Sequence, residues 1–330
     1  MYNPLKYIVP RKIGLALGSG GAKGMAHIAV LDYLKNMNIP VHMVAGSSIG
    51  AVVGALYCCG AMDSFIDDIV AMDKRELVSL FDPVFPRSGL VQGRKVMTFL
   101  EKYISAGTLI EDLGIPLAIC AAEYNTGMTV VFRKGNLLEA LRASISIPGV
   151  LVPVKYRGTL LLDGGVSNPL PVNIVKDMGA HITIAVNLHP RIGKGMLRSF
   201  VKSEMHRFRL VLDSDEIKFI EDAAPVIVPS GEEKKSWVGT VSHWLRTDTP
   251  QEQKEETPSI MDLIAKSFDI MEYVNTMLML KYNRPTVLIE PDVSRFGTFD
   301  FLEAEAILKE GDMACERKKG TLKRRVASWV

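Results

Sequence analysis

Residues 46–50 read GSSIG and place Ser48 at the centre of a G-x-S-x-G pattern. An apolar run at Val41–Ala45, predicted as a strand, comes before it, and a run of small residues at 49–59, predicted as a helix, comes after it. A serine on such a strand-to-helix turn is exposed to substrate, and the helix start behind it favours nearby negative charge. The pattern therefore predicts Ser48 as a nucleophile in acyl transfer, with Ser47 pointing away to satisfy backbone groups.

A second small-residue turn, GSGGAKG at 18–24, lies between a predicted strand at Ile13–Leu17 and a predicted helix at Met25–Met37. Backbone N–H groups of such a turn can point into a cavity and stabilise an oxyanion. Nucleotide binding is disfavoured, because Lys23 is followed by Gly24 instead of the Ser or Thr of a P-loop. The acid that a dinucleotide-binding fold carries about 20 residues further on is also absent. Because neighbouring parallel strands end at one sheet edge, this turn is expected to face Ser48.

A candidate base is Asp163, which ends the apolar run in LLLDGG. An acid at the carboxyl end of a strand, beside two glycines, is well placed for a cleft. The same residues also suit an aspartate that only caps a turn. From the residues alone both interpretations stay open.

Strands and helices alternate along much of the chain, which predicts a mainly parallel sheet covered on both faces. Further strands are predicted at Leu117–Ala122, Met128–Phe132, Leu151–Tyr156, Thr159–Leu162, Ile182–Leu188 and Thr286–Ile289, and further helices from Asp63 and at Leu137–Ala143, Val172–Met178, Ile260–Leu280 and Phe299–Lys309. The predicted fold is a three-layer α/β/α sandwich with a mobile helical insertion.

Three regions follow from the composition. Residues 12–189 are predicted to form the catalytic core, and the charge-rich residues 190–258 a mobile amphipathic insertion that could serve as a lid. Residues 259–330 are predicted to complete the domain with a helix, a strand and a helix. They end in a basic tail at 315–325, which is expected to be frayed and solvated or to touch anionic lipid.

The overall composition excludes several protein classes. A net charge of +2 over 330 residues gives no general attraction to nucleic acid. Residues 36–62 hold no charged side chain, but Pro40 and the 46–48 turn interrupt them, so a buried strand and helix are predicted there and not a membrane span. The four cysteines form no disulfide pattern, and the N-terminus lacks the features of a signal peptide, so a cytoplasmic protein is expected. No metal or cofactor motif is found, and the oligomeric state is left open.

Five motifs, in order, resemble those of the patatin-like phospholipases, especially bacterial members. They are Gly18–Gly24, AHIAVL at 26–31, Gly46–Gly50, ASISIPG at 143–149, and Asp163-Gly164-Gly165 followed by NPLP. The resemblance covers roughly residues 12–190. One position departs from the family's G-G-G-x-[KR]-G loop, because Ser19 replaces its first glycine.

The resemblance implies hydrolysis of lipid acyl esters by a Ser–Asp dyad without a catalytic histidine or cofactor. It implies Ser48 as the nucleophile and Asp163 as the base. The implied oxyanion hole consists of Gly20, Gly21, Ala22 and Ile49, and the implied supporting glycines are Gly18, Gly24, Gly46, Gly50, Gly164 and Gly165. The implied partners are a phospholipid, a lysophospholipid or another acyl ester, with peripheral contact at the inner membrane surface.

Two other functions are compatible with these residues. The first is an α/β-hydrolase with a Ser–Asp–His triad, for which the candidate histidines are His181, His189, His206 and His243. The second is a non-catalytic member of the fold that binds a lipid or a protein. Two further side chains are not assigned a catalytic role. His27 is predicted to be a helix residue near the core. Lys23 is predicted either to steer an anionic substrate or to be solvated.

Overall fold

The computed structural model describes residues 11–80, 91–189 and 260–326. The predicted insertion at 190–258, including its possible role as a lid, lies outside the described residues. Within the described part, eight strands form one sheet. The strands are β1 (Ile13–Leu17), β2 (Met43–Ser47), β3 (Leu117–Glu123), β4 (Thr129–Phe132), β5 (Val154–Tyr156), β6 (Thr159–Asp163), β7 (Ile182–Val186) and β8 (Val287–Ile289).

Nine α-helices accompany this sheet in the described residues. They are α1 (Met25–Asn36), α2 (Ile49–Cys58), α3 (Met62–Ala71), α4 (Lys74–Ser79), α5 (Arg94–Leu100), α6 (Leu137–Ser144), α7 (Val172–Asp177), α8 (Ile260–Tyr282) and α9 (Ala304–Arg325). Short 3-10 turns occur at Gly21–Gly24, Ile110–Asp112, Gly164–Val166 and Phe301–Glu303.

The sheet has the order β5-β6-β3-β2-β1-β7-β8, with β4 paired to β3. Strands β3, β2, β1, β7 and β8 are parallel, whereas β4, β5 and β6 pair antiparallel at one side. Helices α1, α2, α6 and α9 cover one face of the sheet, and α7 and α8 cover the other. The predicted three-layer α/β/α sandwich with a mainly parallel sheet is therefore confirmed.

The two faces of β1 show why this strand lies at the centre. Ile13, Leu15 and Leu17 are fully buried in the larger core, under α1 and α2. Gly14 lies on the opposite face, where an added Cβ would be 2.2 Å from Val175 of α7. Because both faces are covered, the strand is apolar throughout instead of alternating.

The parallel pairing of β1 and β2 brings the two glycine-rich turns together. Leu17 is in register with Gly46, so both strands end at the same edge of the sheet. An added Cβ on Gly24 would be 2.2 Å from the side chain of Ile49, which shows that the turns are in direct contact. The expected juxtaposition of the two turns is therefore found.

Most predicted elements are present, with shifted ends. Strand β2 begins and ends two residues later than predicted. The predicted strand at Leu151–Tyr156 is shorter, because Leu151 forms only an isolated bridge with Val91 and regular pairing begins at Val154. Helix α9 is much longer than predicted: it includes the basic residues 315–325, and Cys315 is fully buried. The expectation of a frayed basic tail at 315–325 is therefore wrong, because this half of the helix packs against the domain.

The uncharged residues 36–62 form β2 and α2 inside the domain, as predicted. Among the helices of the described residues, none combines the length and the apolar character needed to cross a bilayer.

Candidate active site

Ser48 lies on a strained turn between β2 and α2. Its backbone has φ 53° and ψ −124°, a conformation that non-glycine residues rarely adopt. The flanking glycines permit this turn: an added Cβ on Gly46 would be 2.4 Å from Gly50 O, and one on Gly50 would be 2.3 Å from Leu17 O. Strain of this kind is typical of functional sites, and here it places the hydroxyl at the start of a helix.

The Ser48 hydroxyl donates a hydrogen bond to Asp163 Oδ2 at 2.6 Å. The other carboxylate oxygen, Oδ1, accepts a hydrogen bond from Gly165 N at 2.7 Å, and Asp163 N donates to Ser146 O at 2.9 Å. Asp163 is fully buried, and Ser48 is only 4% exposed. The two candidate residues, 115 positions apart in the sequence, are thus brought into direct contact and fixed in orientation.

Burial raises the pKa of Asp163 from its ordinary value of 3.8 to about 7. The hydrogen bonds from Ser48 and Gly165 oppose this shift, because they favour the charged carboxylate, but burial outweighs them. An aspartate with its ordinary pKa is a weak base. A pKa of about 7 makes this carboxylate able to accept a proton near neutral pH.

The loop at 18–24 is anchored by its own backbone. Gly18 N donates to Val186 O at 3.1 Å, Ser19 N donates to Pro169 O at 2.8 Å, and Ala22 N donates to Thr298 O at 2.8 Å. The N–H groups of Gly20 and Gly21 lack a protein acceptor within the described residues. These two groups are therefore available to stabilise an anion.

A family model described as patatin-like phospholipase matches residues 15–176, a range that holds both glycine turns, Ser48 and Asp163. Residues 15–176 belong to the patatin-like phospholipase family. The resemblance seen in the motifs is therefore confirmed.

Several curated proteins are similar in sequence to this chain. One uncharacterized NTE family protein of Mycobacterium tuberculosis is 38% identical over 178 residues, which cover 54% of this chain and 49% of that protein. Another from the same organism is 30% identical over 311 residues, covering 93% of this chain and 46% of that protein. Lysophospholipase NTE1 of Candida albicans is 27% identical over 306 residues, covering 91% of this chain and 19% of that protein. The chain thus spans about half the length, or less, of the curated relatives it matches.

The structure excludes one of the predicted oxyanion donors in the patatin-like domain. Ala22 was among the four expected oxyanion donors, but its N–H already donates to Thr298 O. In this conformation the available donors of the loop are therefore Gly20 and Gly21. Gly21 has φ +58°, and an added Cβ there would be only 2.2 Å from Thr298 O, so a side chain would push the loops apart.

The other motif glycines of the patatin-like domain allow close backbone contacts. An added Cβ on Gly18 would be 3.0 Å from Val186 O, and one on Gly164 would be 2.4 Å from both Cys120 O and Ser47 Oγ. The Ser47 hydroxyl is buried and has no hydrogen-bond partner among the described residues. The expectation that Ser47 satisfies backbone groups is therefore wrong.

Ser144 supports the nucleophile, a role that the residue type alone did not reveal. Its Oγ accepts a hydrogen bond from Ser48 N at 2.9 Å and donates one to Cys120 O at 2.7 Å. The buried N–H group of the strained turn is thereby satisfied. Its position in the ASISIPG motif was the only available signal.

None of the histidines in the described residues hydrogen-bonds to Ser48, whose partners are Ser144 and Asp163. His27 is buried in α1, as predicted, and its Nε2 lies 2.7 Å from Gly18 O. Burial lowers the pKa of His27 to about 4, so the ring is neutral and donates to that carbonyl. His181 Nδ1 accepts from Lys12 N at 3.1 Å, near the amino end of β7. His189 contacts Ser19 Oγ at 3.3 Å; His206 and His243 lie outside the described residues.

Lys23 is not solvated. It is 8% exposed, and its Nζ lies 3.9 Å from Asp269 Oδ1 of α8. The pair connects the glycine-rich loop to α8. The described ranges contain no group of three or more His, Cys, Asp or Glu side chains that could hold a metal ion.

Proposed function

We propose that this protein is a serine lipid acyl hydrolase of the phospholipase A, lysophospholipase or carboxylesterase type. Ser48 is the nucleophile and Asp163 is the base. The observation that carries the proposal is the 2.6 Å hydrogen bond from the Ser48 hydroxyl to a fully buried carboxylate. A serine hydroxyl becomes an effective nucleophile only when a neighbouring group accepts its proton.

In the proposed acylation step, Ser48 Oγ attacks the carbonyl carbon of the ester while its proton passes to Asp163 Oδ2. The carbonyl oxygen becomes an oxyanion and accepts hydrogen bonds from the N–H groups of Gly20, Gly21 and Ile49. The tetrahedral intermediate then collapses: the ester C–O bond breaks, and the leaving alkoxide takes the proton from Asp163. An acyl ester on Ser48 and a free alcohol result.

In the proposed deacylation step, a water molecule gives its proton to Asp163 and its oxygen attacks the acyl carbon. The second tetrahedral intermediate releases the fatty acid, and Ser48 Oγ recovers the proton from Asp163. The same carboxylate thus acts as base and acid in both halves of the reaction. Its pKa of about 7 suits both roles, since proton uptake and release are then nearly balanced near neutral pH.

The proposed substrates are lipid acyl esters, such as a phospholipid or a lysophospholipid. Support comes from the patatin-like phospholipase match and from the likeness to a protein named Lysophospholipase NTE1. We further propose a cytoplasmic location with peripheral contact at the inner membrane surface. The four cysteines all carry free thiols, which is consistent with a reducing compartment.

The test combines fluorophosphonate labelling with acyl release from a panel of phospholipids, lysophospholipids and simple esters. Wild-type protein is expected to be labelled on Ser48 and to release fatty acid. Ser48→Ala and Asp163→Asn are each expected to lose nearly all hydrolysis. Ser47→Ala is the matched control, because the Ser47 hydroxyl is buried in the neighbouring position but hydrogen-bonds to none of the described residues. A folded wild-type protein without labelling or acyl release would instead favour a non-catalytic binding function.

The same assays separate the dyad from a histidine triad. Single changes of His27, His181, His189, His206 and His243 to Ala are each expected to leave substantial activity. A folded histidine variant that falls as far as Ser48→Ala would replace the proposed dyad with a triad.

A further inference from the structure

A second carboxyl group is buried beside Asp163, and the dyad does not use it. Glu272 lies in the middle of α8 and is only 2% exposed. Its Oε1 atom is fully buried, yet it has no hydrogen-bond partner in the part of the chain that the structure describes. A buried carboxyl oxygen without a partner is costly, so its retention at this position calls for an explanation.

Gly165 shows how close the two carboxyl groups are. An added Cβ on this glycine would be 2.0 Å from Glu272 Oε1 and 3.0 Å from Asp163 Oδ1, so these oxygens are no more than about 5 Å apart. Any side chain at position 165 would collide with Glu272. The second glycine of the Asp163-Gly164-Gly165 motif therefore leaves the space that Glu272 occupies.

Two buried carboxyl groups at this separation do not both ionise at neutral pH. The pKa of Glu272 is raised well above its usual range, first by burial and then by the charge of Asp163. The other charged groups facing it are Asp269, which adds to this shift, and Lys23, which opposes it. Asp163 accepts hydrogen bonds from Ser48 Oγ and Gly165 N, which favour its charged form, whereas Glu272 Oε1 accepts none within the described residues. Glu272 is therefore the carboxyl group that we expect to keep its proton when Asp163 loses one.

Glu272 also reaches the glycine-rich loop. The link runs through His189, whose Nε2 lies 3.4 Å from Glu272 Oε2 and 3.3 Å from Ser19 Oγ. The Ser19 hydroxyl also lies 3.4 Å from Pro169 O, to which it donates. The contact with His189 is not an ion pair, because burial lowers the pKa of His189 to about 3. A neutral imidazole and a neutral carboxylic acid can share one hydrogen bond. Ser19, which departs from the family's glycine, therefore joins the loop to α8.

We propose that Glu272 is a positioning residue of this active site: its protonated carboxyl group holds the glycine-rich loop through Ser19 and His189 while it lies against Asp163. The inference rests on the proposed hydrolase function. Ionisation of Glu272 would place a second negative charge beside Asp163 and weaken the alignment of the donors at Gly20 and Gly21. Activity is then lost at alkaline pH because Glu272 ionises, and not because Ser48 or Asp163 changes its protonation.

The test measures kcat and KM across pH for wild type, Glu272→Gln and Glu272→Leu. Glutamine keeps the shape and the hydrogen-bonding ability of the neutral acid, so its activity at neutral pH is expected within about threefold of wild type. Unlike wild type, it is expected to keep that activity at alkaline pH. Leucine cannot hydrogen-bond to His189, which contacts Ser19 of the loop. The kcat of Glu272→Leu is expected to fall about tenfold or more, since losing one oxyanion donor costs about 10²–10³. Glu310→Gln is the control, because Glu310 is a buried glutamate paired with Arg295 on another element.

Several outcomes would overturn the inference. One is a loss of kcat at alkaline pH in Glu272→Gln that is identical to the loss in wild type. Another is a folded Glu272→Leu protein with the kcat of wild type. A large loss in Glu272→Gln at neutral pH would also overturn it, because the neutral side chain would then not suffice.

A direct measurement keeps the inference separate from the proposed function. The infrared carbonyl band of a protonated carboxylic acid is expected in wild type at mildly alkaline pH, where Asp163 is ionised, and is expected to be absent in Glu272→Gln. If wild type neither hydrolyses esters nor reacts with a fluorophosphonate, the proposed function fails. The band then still decides whether Glu272 holds a proton in this pocket, and its absence overturns the inference.

Discussion

Replacing Asp163 with Asn is expected to stabilise the folded protein at neutral pH while removing its activity. The carboxyl group is fully buried, and burial raises its pKa from 3.8 to about 7. The folded state therefore binds this proton more tightly than the unfolded state does. Asparagine fills the same volume, can accept from Gly165 N and can donate to Ser48 Oγ, but it never ionises.

The size of the stability difference follows from the pKa shift of Asp163. Each pKa unit corresponds to about 1.36 kcal/mol, so a shift from 3.8 to about 7 corresponds to about 4 kcal/mol. Because the folded pKa is the higher one, this contribution to the free energy of unfolding is fully present below pH 3.8 and is lost as the pH rises to about 7. The stability of Asp163→Asn relative to wild type is expected to rise by about 4 kcal/mol over that interval.

The assay is urea unfolding followed by circular dichroism at a series of pH values between about 4 and 8, with the midpoint and slope compared at each pH. Glu272 titrates in the same pocket and would contribute its own pH dependence. Comparing Glu272→Gln with the double variant Glu272→Gln/Asp163→Asn repeats the measurement without that second carboxyl group. The argument would be refuted if the free energy of unfolding had the same pH dependence in wild type as in Asp163→Asn, and the same in Glu272→Gln as in the double variant. Asp163 would then titrate alike in folded and unfolded protein.

Three further predictions concern activity. First, kcat/KM is expected to rise with pH through about 7, because Asp163 must be ionised to act as base; a flat profile through this range would contradict its role. Second, Gly21→Val is expected to abolish ester cleavage, since its Cβ would be 2.2 Å from Thr298 O, whereas Gly60→Val is a control with a similar φ, +69°, and open space around it. Equal activity of these two folded variants would remove the glycine-rich loop from the mechanism. Third, Ser144→Ala leaves the buried N–H of Ser48 without an acceptor and is expected to lower the free energy of unfolding by about 1–3 kcal/mol and to reduce kcat. Unchanged kcat and an unchanged urea midpoint would show that this hydrogen bond does not hold the turn.

The sequence by itself determined the local features of this protein. Apolar runs bounded by glycine predicted β1 and β2, and their spacing predicted that both turns lie at one sheet edge. These features depend on short-range patterns, since a buried parallel strand is apolar on both faces and a sharp turn requires glycine. The G-x-S-x-G pattern placed Ser48 on its turn, and the resemblance to a known family supplied a partner in Asp163.

Only the tertiary structure decided which groups share the buried site. The pKa of Asp163 depends on its burial and on hydrogen bonds from Ser48 and Gly165. No single segment of the sequence encodes that burial. Ala22 fits the loop pattern, but its N–H is occupied by Thr298, a residue more than 270 positions away. Glu272 carries no motif and is one acid among many in the sequence. It meets Asp163 only because α8 packs across Gly165, and contacts between distant segments are set by packing, which a local pattern does not report.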